Sequence, residues 1–260
     1  MDDSEADRPP ARRTAEQGPG RHVLGTPWHD ARLVDSRRET ASARTLRFEL
    51  PGWPGHLAGQ HVDVRLTADD GYTAQRSYSL SAPADGDALE LTVQLVPDGE
   101  VSPYLVEDIK PGDSIEIRGP LGGWFVWRQT QAEPVLLVGG GSGVAPLMAM
   151  LRARARLGAT APFRLVYSAR TPADVYYADE LRESGNATVL YTRAAPAGSS
   201  RPPRRISADD LASLGWPAEQ SPTCYVCGPT PFVENVANLL IEAGHDPARV
   251  RTERFGPSGG

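Results

Sequence analysis

From Trp28 to Arg118 the chain alternates apolar and polar positions in short runs, at 31–35, 44–50, 60–66, 76–80, 89–96 and 114–118. Turn residues cut the runs apart: Pro51-Gly52, Asp69-Asp70-Gly71, Asp85-Gly86-Asp87 and Pro111-Gly112-Asp113. Alternation of period two over about 4–8 residues marks a strand with one wet face, so this half predicts an antiparallel barrel or sandwich. Only 101–107 reads as helical within it. After Pro134 the rhythm changes to apolar strands at 135–138, 163–168, 188–192, 223–227 and 250–253. Helical stretches at 147–157, 178–184, 208–214 and 231–243 separate them. Strand followed by helix, repeated, predicts a parallel sheet covered on both faces. The expected fold is therefore two-domain. An antiparallel β-barrel over 26–130 precedes an α/β parallel-sheet domain over 131–260, and 1–25, poor in large apolar side chains, reads as a disordered tail.

Sheets of this parallel kind bind ligands at the carboxyl ends of their strands. The unusual residues of the second half gather there: Ser168-Ala169-Arg170, Thr192-Arg193, Cys227-Gly228-Pro229 and Glu253-Arg254-Phe255-Gly256. The first strand runs into Gly139-Gly140-Gly141-Ser142-Gly143-Val144-Ala145-Pro146 and then into a helix. Glycine has no Cβ to hold an anion away from backbone N–H groups and the positive end of the helix, so a nucleotide phosphate fits this turn. Packing turns also use glycine. Five strand ends converge on one crevice.

At 260 residues the chain is long enough for two domains of this kind. Its net charge of −6 argues against nucleic acid as a partner. Lys110 is the only lysine, so arginine carries the positive charge. The absence of a long apolar stretch and of a charged-then-apolar leader gives the expectation of a cytoplasmic protein with no membrane span. Two cysteines, Cys224 and Cys227, are too few for the four thiolates of a plant-type iron–sulfur cluster or the four ligands of a structural zinc, so no metal site is expected. Their C-x-x-C spacing matches a redox dithiol. On a strand, however, it points the two side chains to opposite faces.

Three motifs, Arg76-Ser77-Tyr78-Ser79, the Gly139–Pro146 turn and Cys227-Gly228-Pro229, occur in an order and domain context that resembles the ferredoxin–NADP⁺ reductase family of flavoproteins from about Trp28 onward. The resemblance implies a flavin on the barrel and a pyridine nucleotide on the α/β domain. It implies that Arg76 clamps the flavin pyrophosphate, with Ser77 beside it, that Tyr78 packs on the isoalloxazine, and that Ser79 hydrogen-bonds near flavin N5. Gly99, Val101 and Ser102 correspond to the loop that holds the pyrophosphate at a helix start, which favours FAD over FMN; the alternative for Ser102 is a plain helix cap. Gly140, Gly141, Ser142, Gly143 and Pro146 would hold the pyrophosphate of the nicotinamide nucleotide, in the family's own variant of a glycine-rich turn. Cys227, Gly228 and Pro229 would lie beside the nicotinamide, the alternative for Cys227 being an ordinary buried strand cysteine. Glu253 would approach both rings as a carboxylate that orients them or relays protons, and Phe255 would cover the flavin.

Coenzyme preference turns on charge at the second and third strand ends. A 2′-phosphate calls for arginine. Ser168, Arg170 and Arg193, with Arg204 and Arg205 farther on, favour NADPH over NADH, although arginines are general in this lysine-poor chain. The resulting expectation is a monomeric FAD oxidoreductase in which Ser79, Cys227 and Glu253 serve catalysis. Electrons would go to a separate acceptor protein such as a ferredoxin, or to the centre of an oxygenase or molybdenum enzyme. A flavin reductase serving a small diffusible acceptor and a non-catalytic nucleotide-binding module are the alternatives.

Overall fold

A computed structural model describes residues 26–256; the expected N-terminal tail lies outside the described residues. Six strands form the first sheet: β1 (His29–Thr40), β2 (Ala43–Glu49), β3 (His61–Thr67), β4 (Thr73–Ser79), β5 (Ala88–Gln94) and β6 (Ser114–Leu121). Their order is β4-β3-β6-β1-β2-β5, every neighbouring pair antiparallel. A bridge between Leu80, the residue after β4, and Leu91 of β5 closes the sheet on itself. The alternation in sequence becomes an inside and an outside: Leu89, Leu91 and Val93 of β5 point into a core with Leu33, Leu46, Phe48 and Val64.

The helix expected over 101–107 forms at 102–108: a first α turn, closed by Leu105 N–H on the Val101 carbonyl at 3.2 Å, widens into a π turn over Tyr104–Asp108 that ends with Ile109 N–H on the Tyr104 carbonyl at 2.9 Å. The wide turn carries Leu105, Val106 and Ile109 together into the barrel core.

The second sheet holds β7 (Val135–Gly140), β8 (Phe163–Ala169), β9 (Ala187–Tyr191), β10 (Thr223–Pro229) and β11 (Val250–Phe255), all parallel, in the order β11-β10-β7-β8-β9. Helices α1 (Val144–Arg156) and α2 (Ala178–Ser184) pack on its barrel-side face, α3 (Ala208–Leu214) and α4 (Thr230–Glu242) on the other. β7 is buried along its whole length, as a strand sandwiched between two helical layers must be. Leu137, Leu165 and Tyr225 face one core while Leu136, Val138 and Val226 face the other. Alternation places Cys227 in the first and Cys224 in the second, so the two thiols lie on opposite faces of β10 as expected.

The chain leaves β7 toward β8 and β9 on one side, then crosses to β10 and β11 on the other. The carboxyl ends of β7 and β10 therefore flank the point where the strand order reverses, the place where such sheets form a crevice. Among the described residues no helix is long and apolar enough to cross a membrane.

Candidate active site

The crevice is built on one register line. Tyr167, Gly139, Cys227 and Glu253 are consecutive cross-strand partners on β8, β7, β10 and β11. Across from them β4 ends at Ser79, whose hydroxyl donates to Glu253 Oε1 at 3.3 Å. This bond joins residues 174 positions apart and brings the barrel motif and the last strand of the α/β domain to a single point. The second carboxylate oxygen of Glu253 is buried without a hydrogen-bond partner. Burial pushes the Glu253 pKa up to about 7, with the Ser79 hydroxyl pulling the other way. Burial, reinforced by that carboxylate, pushes the neighbouring Cys227 thiol well above its ordinary value, so it stays a neutral SH.

On β4, alternation puts Arg76 and Tyr78 on one side of the strand and Ser77 and Ser79 on the other. The Ser77 hydroxyl donates to Asp63 Oδ1 at 2.6 Å, and the other oxygen of that carboxylate takes Arg118 at 2.6 Å. Ser77 is thus committed to the barrel wall. Tyr78 is half-buried against the barrel core, and burial raises its hydroxyl pKa far above the usual range. The Arg76 guanidinium is exposed and bonds the Gln75 carbonyl at 2.6 Å and Glu100 at 3.1 Å; Tyr72 donates to the same Glu100 carboxylate. A groove of about 690 Å³ opens beside Glu100, lined also by Arg65, Tyr72, Ala74 and Tyr104. It lies on the barrel wall and not at the Ser79–Glu253 junction.

The loop 96–102 is held together by its own contacts. Ser102 is buried and its hydroxyl accepts the Val96 N–H at 3.0 Å, so it closes the loop and does not cap the following turn. Val101 is fully buried, and Gly99 sits where a Cβ would lie 3.1 Å from both Ser102 Oγ and the Val96 carbonyl. Glu100, which no motif singled out, is the group of this loop that meets Arg76.

Two glycines of the turn, Gly140 and Gly143, and Gly228 at the end of β10 are also required by packing. A Cβ on Gly143 would stand 2.3 Å from the Cys227 carbonyl oxygen, and one on Gly140 or Gly228 would run into the Phe232 ring at 2.7–2.9 Å. Their absence of side chains lets the turn, β10 and α4 close on one another. Gly141, at φ +56° with open space around it, and the half-exposed Ser142 are the residues that present backbone to the crevice at the start of α1. Pro146 occupies the first turn of α1, where no intrahelical N–H is needed.

Arg170 and Arg193 are exposed side by side. The Arg193 and Ala194 amides both donate to the Arg170 carbonyl, at 2.9 and 3.2 Å, and among the described residues neither guanidinium forms a salt bridge. Ser168 is buried at the end of β8. Arg204, by contrast, is committed with Arg201 to Asp210, at 2.7–2.9 Å, which holds that carboxyl far below its usual range. Phe255 packs half-buried at the end of β11, opposite Pro229.

These residues suit two dinucleotides. Arg76 offers an anion a guanidinium whose present partner is an exposed carboxylate, a weak pair that a pyrophosphate can displace. The start of α1 offers a second anion backbone N–H groups and the positive end of a helix dipole. Between them lies a buried carboxylate oxygen with nothing to bond.

Residues 30–126 match the family model of the oxidoreductase FAD-binding domain, and residues 137–238 match that of the oxidoreductase NAD-binding domain. Over 246 residues the chain is 30% identical to the ferredoxin–NAD(P)⁺ reductase component of the naphthalene 1,2-dioxygenase/salicylate 5-hydroxylase systems of Ralstonia sp, covering 89% of this chain and 71% of that protein. The chain belongs to the ferredoxin reductase-like family. It is a flavin-dependent oxidoreductase with an FAD-binding and an NAD-binding domain. A second relative, the glycine betaine monooxygenase reductase subunit of Chromohalobacter salexigens, is 32% identical over 88% of this chain and 64% of its own length. Among solved structures, the FAD/NAD-binding domain of nitric oxide dioxygenase from Vibrio cholerae superposes with a TM-score of 0.78 at 25% identity, covering 88% of this chain and 99% of that one.

Proposed function

We propose that this member of the family takes reducing equivalents from NADPH onto FAD and passes them to a separate redox protein of an oxygenase system, working as a cytoplasmic monomer. The observation that carries the reading is the Ser79–Glu253 contact, where the FAD-domain motif and the end of the NAD-domain sheet meet at a polar point buried between them. The two relatives described above are, by name, reductase parts of multicomponent oxygenases. When bound, the dinucleotides supply the chemistry, hydride passing from nicotinamide C4 to flavin N5.

The chain's own residues bind and orient. Arg76 holds the flavin pyrophosphate, exchanging Glu100 for the stronger charge-assisted bonds of a dianion. Tyr78 and Phe255 supply aromatic walls. The Gly141 and Ser142 backbone, at the head of α1, receives the pyrophosphate of the nicotinamide nucleotide, and Cys227, neutral and small, lets a ring approach the end of β10. Ser79 donates at Oγ, and Glu253, poised near neutrality, holds or releases a proton at the oxygen that lacks a partner. Arg170 and Arg193 select the 2′-phosphate.

Anaerobic mixing of FAD-loaded protein with each coenzyme tests this directly. NADPH should bleach the yellow flavin faster than NADH. Replacing both Arg170 and Arg193 with Ala should weaken NADPH binding by one to several powers of ten while NADH changes little. A wild-type protein that prefers NADH, or a double variant that loses both coenzymes equally, withdraws the NADPH assignment; a flavin that neither coenzyme reduces withdraws the activity.

A further inference from the structure

Arg152 lies in the last half of α1, on the face turned toward the barrel, and is mostly buried. Its guanidinium is fully engaged. One nitrogen, Nη1, donates across the domain boundary to the Ser81 carbonyl at 2.8 Å and to Glu90 Oε1 at 2.7 Å. The other two, Nε and Nη2, form a two-pronged pair with Glu180 of α2 at 2.8 and 2.6 Å, while the Tyr177 ring lies 4.8 Å below the guanidinium carbon. Ser81 comes two residues after Ser79 and is itself locked to Glu90, hydroxyl to carboxylate at 3.0 Å and N–H to carbonyl at 2.9 Å. Arg152 therefore grips the strand end that carries the flavin motif.

The other end of α1 is held as firmly. Gly143, immediately before it, packs so closely on the Cys227 carbonyl that a Cβ would stand 2.3 Å from that oxygen. One helix of 13 residues thus spans from the Cys227 backbone, where the nicotinamide is placed, to the segment just after Ser79, where the flavin is placed. A rise of about 1.5 Å per residue leaves no slack in such a strut.

We propose that Arg152 is a positioning residue for hydride transfer: through α1 it sets the distance between the nicotinamide and flavin sites by fixing the α/β domain onto the Ser79–Ser81 strand end. The proposal rests on the NADPH-to-FAD reading above. It asks α1 to transmit geometry, and hydride transfer is steep in geometry, since a misplacement of about 1 Å costs roughly a hundredfold in rate.

The three carboxylate and arginine partners separate positioning from general stability. Glu90 lies on the barrel and Glu180 on the α/β domain, so Arg152→Met and Glu90→Gln cut the link between domains, whereas Glu180→Gln removes a partner of equal charge within one domain. In anaerobic stopped flow of the FAD-loaded proteins, Arg152→Met and Glu90→Gln should each slow flavin reduction at saturating NADPH at least tenfold and diminish the long-wavelength flavin–nicotinamide charge-transfer band. The NADPH dissociation constant should stay within about threefold. The double variant should be no slower than either single one, and Glu180→Gln should stay within threefold of wild type. A second readout needs no turnover: spin labels at Glu49→Cys on β2 and Glu234→Cys on α4 should report a broadened interdomain distance distribution in Arg152→Met and not in Glu180→Gln. An unchanged distribution with an unchanged reduction rate overturns the role of Arg152, as does a Glu180→Gln variant as slow as the other two. Wild-type protein that neither coenzyme reduces overturns the proposed activity alone, and the label distances then decide whether Arg152 sets the domain geometry.

Discussion

Two side chains carry predictions that follow from their immediate surroundings. Arg76 is exposed and its only acidic partner among the described residues, Glu100, is exposed too, so the protein loses little when that pair is broken. Arg76→Ala should therefore leave the fold's melting temperature nearly unchanged while FAD affinity drops by about tenfold to a hundredfold, read by titrating stripped protein with FAD. Stoichiometric FAD of unaltered affinity would move the anion site elsewhere. Glu253 carries the opposite signature. Its pKa is pushed up to about 7 by burial against an ordinary value of 4.5. Below the lower value both folded and unfolded chains hold the proton; between the two only the folded chain does. The carboxyl's contribution is thus fully present at low pH and is lost as pH rises through about 7, by on the order of 3 kcal/mol. Cofactor-free wild type should lose melting temperature between about pH 5 and pH 8, and Glu253→Gln should lose much less. Parallel curves would show that Glu253 is solvated in the folded protein. The sequence put Glu253 at a strand end and Arg76 in a flavin motif, but not the unpartnered Oε2 or the Glu100 pair, because both depend on what a distant loop brings alongside.

The elements of the α/β half were the most legible, since each is written in one local stretch. Helices expected at 178–184 and 208–214 form over those same residues, and α3 begins with a capping box of Ser207 and Asp210. The glycine turn was legible as a turn, whereas the close packing that Gly140 and Gly143 permit was not. Gly143 exists because α1 and β10 approach one another, which only the assembled sheet reveals. Gly143→Ala should accordingly cost several degrees of melting temperature and disturb Cys227, since the obstacle is backbone and cannot rotate away. Gly141→Ala meets no atom within 4 Å and carries only the strain of φ +56°, roughly 1–2 kcal/mol. Circular dichroism melts of the two variants check the ranking. If Gly141→Ala is the worse of the pair, the turn is held by its own conformation and not by β10. Arg152 marks the limit of such reading. Within Arg152-Ala153-Arg154-Ala155-Arg156 it looks like any solvated helix charge, and no spacing in the chain announces partners 62 and 71 residues earlier.

The two domains share more than a boundary. One apolar cluster contains Ala43, Ala58 and Phe125 from the barrel half and its exit segment together with Leu147, Met148 and Met150 of α1. Gly59 sits so close that a Cβ would lie 2.7 Å from the Met150 methyl. Polar links surround this cluster: Tyr177, at φ +55° before α2, donates its N–H to Glu39 of β1 at 2.9 Å and its hydroxyl to Thr92 of β5 at 2.5 Å. Arg156 adds a bond to the Ala84 carbonyl at 2.7 Å. Each half would expose part of its core if the other left, and a left-handed Tyr177 is maintained only while the barrel holds it. Unfolding should therefore be one cooperative transition, despite two sheets of different class. Hydrogen exchange read by mass spectrometry along a urea series resolves peptides from β2 and β5 apart from peptides of β7 and β10. Coincident midpoints are expected in wild type. Arg152→Met, which cuts the link to Ser81 and Glu90, should separate them, the barrel and the parallel sheet then losing protection at different urea concentrations. Two separate transitions already present in wild type would mean that the shared cluster contributes little, and that α1 carries geometry between the domains only when the dinucleotides are bound.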